Sequence, residues 1–156
     1  MKLAVGSDEK TALTGFVIEE LGKRGHQVEG FGPLTGEPMG WPDVGEKVAL
    51  EVSKGRAKQG ILFCWTGTGV TIAANKVPGV RAALCWDAET ARGARLWDDA
   101  NVLAMSLRST SPAVAKEILD AWFSSSPATT GIDAELIERA KMLERKYTAA
   151  ASFVPR

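Results

Sequence analysis

The chain has 156 residues, of which 45% are hydrophobic and 24% charged, a balance typical of one globular domain with a substantial core. Basic and acidic residues number 19 each, and this zero net charge excludes bulk electrostatic attraction to nucleic acid or to an anionic membrane. No apolar run approaches the roughly 20 residues of a membrane span. The amino terminus opens into a strand-like segment without a signal-peptide pattern, and the chain has two cysteines. We therefore expect a cytoplasmic protein with reduced thiols.

Apolar β-type runs alternate with helical patterns along the whole chain. In chain order, the predicted elements are a strand at 2–6, a helix at 11–24, a strand at 27–31, a loop rich in glycine and proline at 32–41, a helix at 42–53, a strand at 60–64, a helix after Gly69, a strand at 80–85, a helix at 88–96, a strand at 102–105, a helix at 112–123 capped by Ser111, and a terminal helix at 132–147. This alternation predicts an α/β fold with helices on both faces of a mostly parallel five-stranded sheet. We predict one domain over 1–148 and a frayed tail at 149–156.

The most informative stretch is Cys64-Trp65-Thr66-Gly67-Thr68-Gly69, where an apolar strand ends at a cysteine and turns into a helix. Open α/β sheets bind ligands at the carboxyl ends of their strands, and backbone amides at a helix start stabilise an anionic oxygen. A thiol beside a helix amino terminus has a lowered pKa and can act as a base, whereas a buried apolar cysteine is ordinarily structural. We predict the first role for Cys64 and the second for Cys85, which lies inside an apolar strand.

The same turn resembles that of the ribose-5-phosphate isomerase B family, which includes the galactose-6-phosphate isomerase subunits. The other matching motifs are Gly6-Ser7-Asp8, Trp41-Pro42-Asp43, Ile72-Ala73-Ala74-Asn75-Lys76, Gly79-Val80-Arg81-Ala82-Ala83-Leu84-Cys85, Thr90-Ala91-Arg92 and Asp99-Ala100-Asn101-Val102-Leu103. The resemblance covers roughly residues 1–123 in the same order. It implies a three-layer αβα Rossmann-like sandwich, a homodimer or tetramer with active sites at the subunit interface, and no metal or organic cofactor. The implied reaction interconverts an aldose and a ketose, usually phosphorylated, through an enediol.

The resemblance also implies roles for individual residues. Cys64 supplies the base, Thr66 handles a substrate oxygen and Asp8 contacts substrate hydroxyls, although a helix cap is the alternative role for both Thr66 and Asp8. Arg108 helps to hold a phosphate, with a solvated surface charge as the alternative, and Asn75 braces a loop. The implied oxyanion pocket consists of the backbone amides of Gly67, Gly69, Val70 and Thr71.

Some positions depart from the family pattern at the site. The histidine after the first-loop aspartate is Glu9, the glycine after the cysteine is Trp65, and a His-Asn pair whose histidine opens the sugar ring is replaced by Trp97 and Asp98. Indole faces suit the apolar faces of sugar rings, bases or cations, so we expect these four residues and Trp41 to bind the substrate. Outside the site, Trp86 and Trp122 are predicted to lie in the core and His26 on the solvated surface.

The phosphate-binding positions also differ. Two family arginines near the start of the terminal helix align with Ile132 and Leu136, while Arg139 is an alternative cation. A phosphate dianion favours arginine forks and is disfavoured by neighbouring carboxylates. We therefore predict a less charged, carbohydrate-like substrate other than ribose 5-phosphate. The alternatives are a catalytically inactive protein that binds a small molecule in the cleft, and another proton transfer, such as epimerisation, with Glu9 or Asp98 as the base.

Overall fold

The computed structural model describes residues 1–150 as five strands and six α-helices. In chain order these are β1 (Lys2–Ser7), α1 (Ala12–Lys23), β2 (Gln27–Phe31), α2 (Trp41–Ser53), β3 (Gln59–Cys64), α3 (Thr68–Ala74), β4 (Ala82–Leu84), α4 (Ala88–Leu96), β5 (Val102–Ser106), α5 (Pro112–Ser124) and α6 (Gly131–Ala150). A short 3₁₀ turn at Gly32–Thr35 interrupts the predicted loop before α2. Residues 149 and 150 of the predicted tail belong to α6, and the rest of that tail, 151–156, lies outside the described residues.

All five strands are parallel, in the order β2-β1-β3-β5-β4. The chain leaves β1 for β2 on one side of the sheet and returns to β3 on the other, so the strand order reverses between β1 and β3. A crevice forms at such a switch point, outside the carboxyl ends of the strands. The predicted α/β fold, with a parallel sheet between two layers of helices, is confirmed.

Two apolar layers cover the sheet. One layer contains α1, α4 and α5 and includes Phe63 and Trp122, both fully buried. The other contains α2 and α3 and includes Leu62 and Cys64. Because successive strand residues point to opposite faces, the continuous apolar run of β3 fills both layers. Cys64 therefore lies on the side of the sheet that α2 and α3 cover.

The last helix, α6, packs against the body through few side chains. Ile137 is buried, Lys141 lies 3.2 Å from the carboxylate of Asp99, and Glu144 accepts a 2.6 Å hydrogen bond from the amide of Gly79. Other large apolar side chains of α6 are exposed: Ile132, Leu136, Met142, Leu143 and Tyr147. Within residues 1–150, no helix has the length and apolar character that crossing a membrane requires.

The structure corrects the predicted position of Trp86. Trp122 is fully buried and its indole N–H donates to Gln59 at 2.9 Å, so that prediction is confirmed, but Trp86 is 66% exposed. The predicted strand at 80–85 is in fact only Ala82–Leu84. Trp86 therefore falls beyond the strand, in the turn where Asp87 caps α4, and leaves the core.

The prediction for His26 is also wrong in part. Its imidazole is half-buried and lies against the ring of Phe123, with 4.5 Å between ring centroids. Burial, followed by the charge of the amino terminus, lowers the pKa of His26. The hydrophobic end of α5 supplies a contact that the local sequence around His26 does not reveal.

Candidate active site

The site is built around a tight turn that follows β3. The amide of Gly67 donates to the carbonyl of Cys64 at 3.2 Å, and Gly67 has a φ of +77°. A Cβ atom at this position would lie 3.1 Å from the carbonyl carbon of Met105. Both the left-handed backbone and the close approach of β5 require glycine here. The turn thus directs the chain from the end of β3 straight into α3.

The first turn of α3 carries no side-chain cap. The first amides of an α-helix have no partner within the helix, so this end of α3 presents hydrogen-bond donors beside Cys64. Thr66 is not the cap, because its hydroxyl pairs with that of Thr68 at 2.6 Å. The hydroxyl of Thr71 donates to the carbonyl of Gly67 at 2.7 Å and fixes the turn from behind.

Asp8 lies at the end of the neighbouring strand. The ladder pairs Ser7 with Phe63, so the residues that follow them, Asp8 and Cys64, end adjacent strands at the switch point. The hydroxyl of Ser7 donates to the carbonyl of Glu9 at 2.6 Å, and this hydrogen bond holds the backbone on both sides of Asp8. Thr11 caps α1 by accepting from the amide of Thr14, so the capping alternative for Asp8 is wrong.

The carboxyl of Asp8 is incompletely satisfied. Its Oδ1 atom is buried and has no hydrogen-bond partner among the described residues. Burial, and then the charge of Glu9, raise the pKa of Asp8. A buried carboxyl oxygen without a donor is costly and calls for either a proton or a ligand hydroxyl. Asp8 is therefore available to bind and exchange protons with a molecule in the crevice.

The two cysteines have different surroundings, and both are free thiols. Cys64 ends β3 and retains 5% exposure, whereas Cys85 is fully buried. Burial, followed by the charges of Asp87 and Asp98, raises the pKa of Cys85 to about 12. The predicted burial of Cys85 is confirmed, although β4 ends one residue before it. Cys64 is largely covered within the single chain.

Trp65 and Arg108 close the same edge of the sheet. The carbonyl of Trp65 accepts from the hydroxyl of Ser106 at 2.9 Å and from the amide of Arg108 at 3.0 Å. Both Trp65 and Arg108 have exposed side chains. Trp41 covers Gly69 from the start of α2. The structure thus brings one group of predicted site residues together at the carboxyl edge: Asp8, Glu9, Trp41, Cys64, Trp65, Thr66, Gly67, Gly69, Val70, Thr71 and Arg108.

Trp97 and Asp98 are not part of that group. They follow α4 and precede β5, so they lie at the amino-terminal edge of the sheet, opposite Cys64. The five residues of β5 span roughly 16 Å between the two edges. Both residues line a cavity of about 430 Å³ that also contains Asp133 and Leu136 of α6. Burial raises the pKa of Asp98.

Comparisons with known proteins identify the family. The sequence model of the ribose/galactose isomerase family matches residues 3–140. The chain belongs to this family. It is 38% identical to ribose-5-P isomerase B of Listeria innocua, over 80% of this chain and 85% of that one. Identity to D-erythrulose-4-phosphate isomerase of Pectobacterium atrosepticum is also 38%, over 78% and 82% of the two chains.

The fold agrees with that of solved family members. The ribose-5-phosphate isomerase B of Clostridium thermocellum superposes with a TM-score of 0.86 at 39% identity, covering 94% of this chain and 99% of that one. The predicted resemblance and the three-layer αβα sandwich are therefore confirmed. At the level the relatives support, the chain is a member of a family of sugar phosphate isomerases.

Asn75, predicted to brace a loop, braces the start of β4 by exchanging two 2.8 Å hydrogen bonds with the backbone of Ala82. Two other features have no clear signal in the sequence. The support that Ser106 gives to Trp65 has no sequence signal beyond its place at the end of an apolar strand. The exposure of Trp86 depends on where β4 ends. Among the described residues, no three histidine, cysteine, aspartate or glutamate side chains come together as a metal site requires.

Proposed function

We propose that the chain is an aldose–ketose isomerase that works through an enediol at the carboxyl edge of its sheet. The observation that carries the proposal is the position of Asp8, just after β1, and of Cys64, at the end of the adjacent β3, beside the uncapped start of α3. This arrangement offers a base, a proton-exchanging carboxyl and a set of amide donors around one small crevice. Family membership supports the same class of reaction.

The thiolate of Cys64 removes a proton from the carbon next to the substrate carbonyl. The electron pair of that C–H bond forms the C=C bond of an enediolate, and the carbonyl oxygen becomes negatively charged. The amides of Gly69 and Val70 donate to this oxygen, whereas those of Gly67 and Thr71 already donate to the carbonyls of Cys64 and Gly67. Asp8 and Thr66 transfer protons between the two substrate oxygens. The thiol then returns its proton to the neighbouring carbon, which converts an aldose into a ketose or the reverse.

A second copy of the chain completes the site in this proposal. Trp97 and Asp98 lie too far from Cys64 to reach the same substrate within one chain, and the resemblance implies active sites at a subunit interface. The exposed apolar side chains of α6, among them Ile132 and Leu136, give a second copy a surface to cover. We therefore propose a homodimer or a larger assembly of dimers, and a cytoplasmic location that fits its reduced thiols.

The substrate proposed here is less anionic than ribose 5-phosphate. By the resemblance, Ile132 and Leu136 align with the phosphate-clamping arginines, and at 65% and 49% exposure they offer apolar surface where arginines would offer charge. Asp98 adds a carboxylate beside Leu136. The two candidate cations are Arg139, three residues beyond Leu136, and Arg108, which lies at the carboxyl edge of the sheet. Neither apolar side chain can hydrogen-bond a phosphate dianion, which supports a neutral or weakly charged distal group.

Paired substrates test this proposal. Isomerisation of D-ribose and D-galactose is compared with that of ribose 5-phosphate and galactose 6-phosphate, in the wild type and in the double variant Ile132→Arg/Leu136→Arg. We expect the wild type to favour the unphosphorylated sugar and the double variant to shift the ratio of kcat/KM toward the phosphorylated one. Glu117→Arg makes the same change of two charges at an exposed position of α5 and should leave the ratio unchanged. A wild-type preference for the phosphorylated sugars would overturn the substrate assignment, and its loss in Arg139→Ala or in Arg108→Ala would identify the cation that binds the phosphate.

A further inference from the structure

Three exposed indoles surround the carboxyl edge of the sheet. Trp65 follows Cys64 at the end of β3 and is 59% exposed, while Trp86 follows β4 and is 66% exposed. Trp41 begins α2 and lies against Gly69. Exposed apolar surface gathered at one place marks a binding surface. Trp86 has no role in the proposed reaction and none in the core, and its indole N–H donates a hydrogen bond to the carboxylate of Asp87.

The sheet topology places Trp86 and Cys64 at the same edge. Leu84 pairs with Ala104 in the ladder between β4 and β5, and Cys64 pairs with Ser106 in the ladder between β3 and β5. Trp86 lies two residues beyond Leu84, past the end of β4 and in the turn before α4. Because β5 alone separates β4 from β3, their backbones lie roughly 10 Å apart. Trp86 and the catalytic turn thus share one side of the molecule.

The polar groups between these indoles favour a carbohydrate over a dry protein contact. The hydroxyl of Thr66, the carboxylate of Asp87 and the side chain of Arg108 are all exposed at this edge. The centre of a protein interface is depleted of charged residues, whereas sugar sites combine an aromatic face with a few hydrogen-bonding groups. The hydrogen bonds to the carbonyl of Trp65 fix the backbone that carries its indole.

We propose that Trp65 and Trp86 form a platform for a neutral ring that the substrate carries beyond the carbons reacting at Cys64. The substrate is then a sugar with a free carbonyl end that bears a further flat-faced ring, such as a reducing disaccharide, rather than a small sugar phosphate. The C–H face of the ring stacks on the indoles, and its hydroxyls bond to the polar groups of the same edge. This assignment rests on the proposed function, because it takes Cys64 as the reacting end.

Ligand-observed NMR with two neutral probes tests the platform. Methyl β-D-glucopyranoside supplies a ring and ribitol supplies an open chain of hydroxyls, and saturation transfer from the protein gives a Kd for each. We expect Trp65→Ala and Trp86→Ala each to weaken binding of the glucoside about threefold to tenfold, the range expected for one aromatic contact, and to leave ribitol unchanged. Tyr147→Ala, which removes an exposed aromatic ring from α6, should leave both Kd values unchanged.

Three results would overturn the platform. The first is an unchanged glucoside Kd in both indole variants, and the second is equal weakening of glucoside and ribitol binding. The third is that Trp86→Ala dissociates the oligomer in sedimentation while NMR gives an unchanged glucoside Kd. The last result would assign Trp86 to a contact between copies. Cys64→Ala separates this test from that of the reaction, because it should retain ring binding while losing turnover. Turnover that survives in Cys64→Ala overturns the proposed reaction whatever the indole variants show.

Discussion

The indole of Trp41 covers Gly69 so closely that a Cβ atom on the glycine would lie 2.9 Å from Cδ2 of the ring. This contact joins the start of α2 to the first turn of α3. It couples the position of an exposed tryptophan to the backbone amides that face the crevice. The absence of a side chain at Gly69 is thus required for packing as well as for access to those amides.

Gly69→Ala should therefore displace Trp41 or tilt the first turn of α3. Overpacking of this kind destabilises by about 1–3 kcal/mol, and isomerase activity should fall with it. Gly15→Ala is the matched control, because Gly15 lies in α1 with no atom within 4 Å of its Cβ position. That change should stabilise the protein by about 0.5–1 kcal/mol through helix propensity. Urea denaturation and tryptophan fluorescence measure both. Equal stability of the two variants would show that the contact is unimportant.

The buried Oδ1 atom of Asp8, which has no hydrogen-bond partner among the described residues, predicts that the free energy of unfolding depends on pH. Burial raises the pKa of Asp8, so between the ordinary carboxyl pKa of about 3.9 and its higher folded value the native state binds more protons than the unfolded state. Stability is then lost as the pH rises through this window. Asp8→Asn should have a larger free energy of unfolding than the wild type at pH 7, with a difference that shrinks toward pH 3. It should also lose most of its activity.

Asp87 provides a control of opposite sign. A hydrogen bond from the amide of Thr90, 2.7 Å from Oδ1, is the main cause that lowers the pKa of Asp87. Its contribution to stability is present above the ordinary carboxyl pKa and disappears as the pH falls through the folded value. Asp87→Ala should therefore be less stable than the wild type at pH 7. If Asp8→Asn is also less stable than the wild type at pH 7, then the Asp8 carboxylate of the wild type has a hydrogen-bond donor in solution. The proposal that its Oδ1 atom lacks one is then wrong.

Sharing of each site between two chains predicts complementation. Cys64→Ala and Trp97→Ala/Asp98→Ala should each be impaired when alone, because every site then contains one altered component. Mixed dimers contain one intact site, so random reassociation should restore about a quarter of wild-type activity for a two-fold symmetric dimer. Activity is measured after joint unfolding and refolding of equal amounts. A mixture no more active than the mean of its components would indicate that each site lies within one chain.

Much of this fold is readable from the sequence because local and global signals agree. The continuous apolar run of β3 is typical of a buried parallel strand, and Ser111 caps α5 as its position before a proline predicts. The ends of β4 cannot be predicted in this way. This edge strand is only three residues long, and the side chains of Asn75 and Asn101 bond the backbone around its start. Long-range side-chain contacts of that kind leave no local pattern.

The candidate site is predictable to the same degree. The turn after Cys64 and the adjacent Asp8 follow from strand ends, which the sequence marks with glycines and an acidic residue. The separation of Trp97 and Asp98 from this turn does not follow from spacing, because it depends on which edge of the sheet each loop occupies. The buried oxygen of Asp8 also depends on packing around it, and so only coordinates reveal it.

The most direct test follows the proton that Cys64 is proposed to move. The protein is incubated in D₂O with a panel of unphosphorylated and phosphorylated aldoses and ketoses, and NMR follows loss of the proton on the carbon next to the carbonyl. The account predicts that the wild type and Cys85→Ala incorporate deuterium there, provided that Cys85→Ala remains folded, and that Cys64→Ala does not. Exchange by Cys64→Ala at the wild-type rate, or no exchange by the wild type on any sugar, would contradict it.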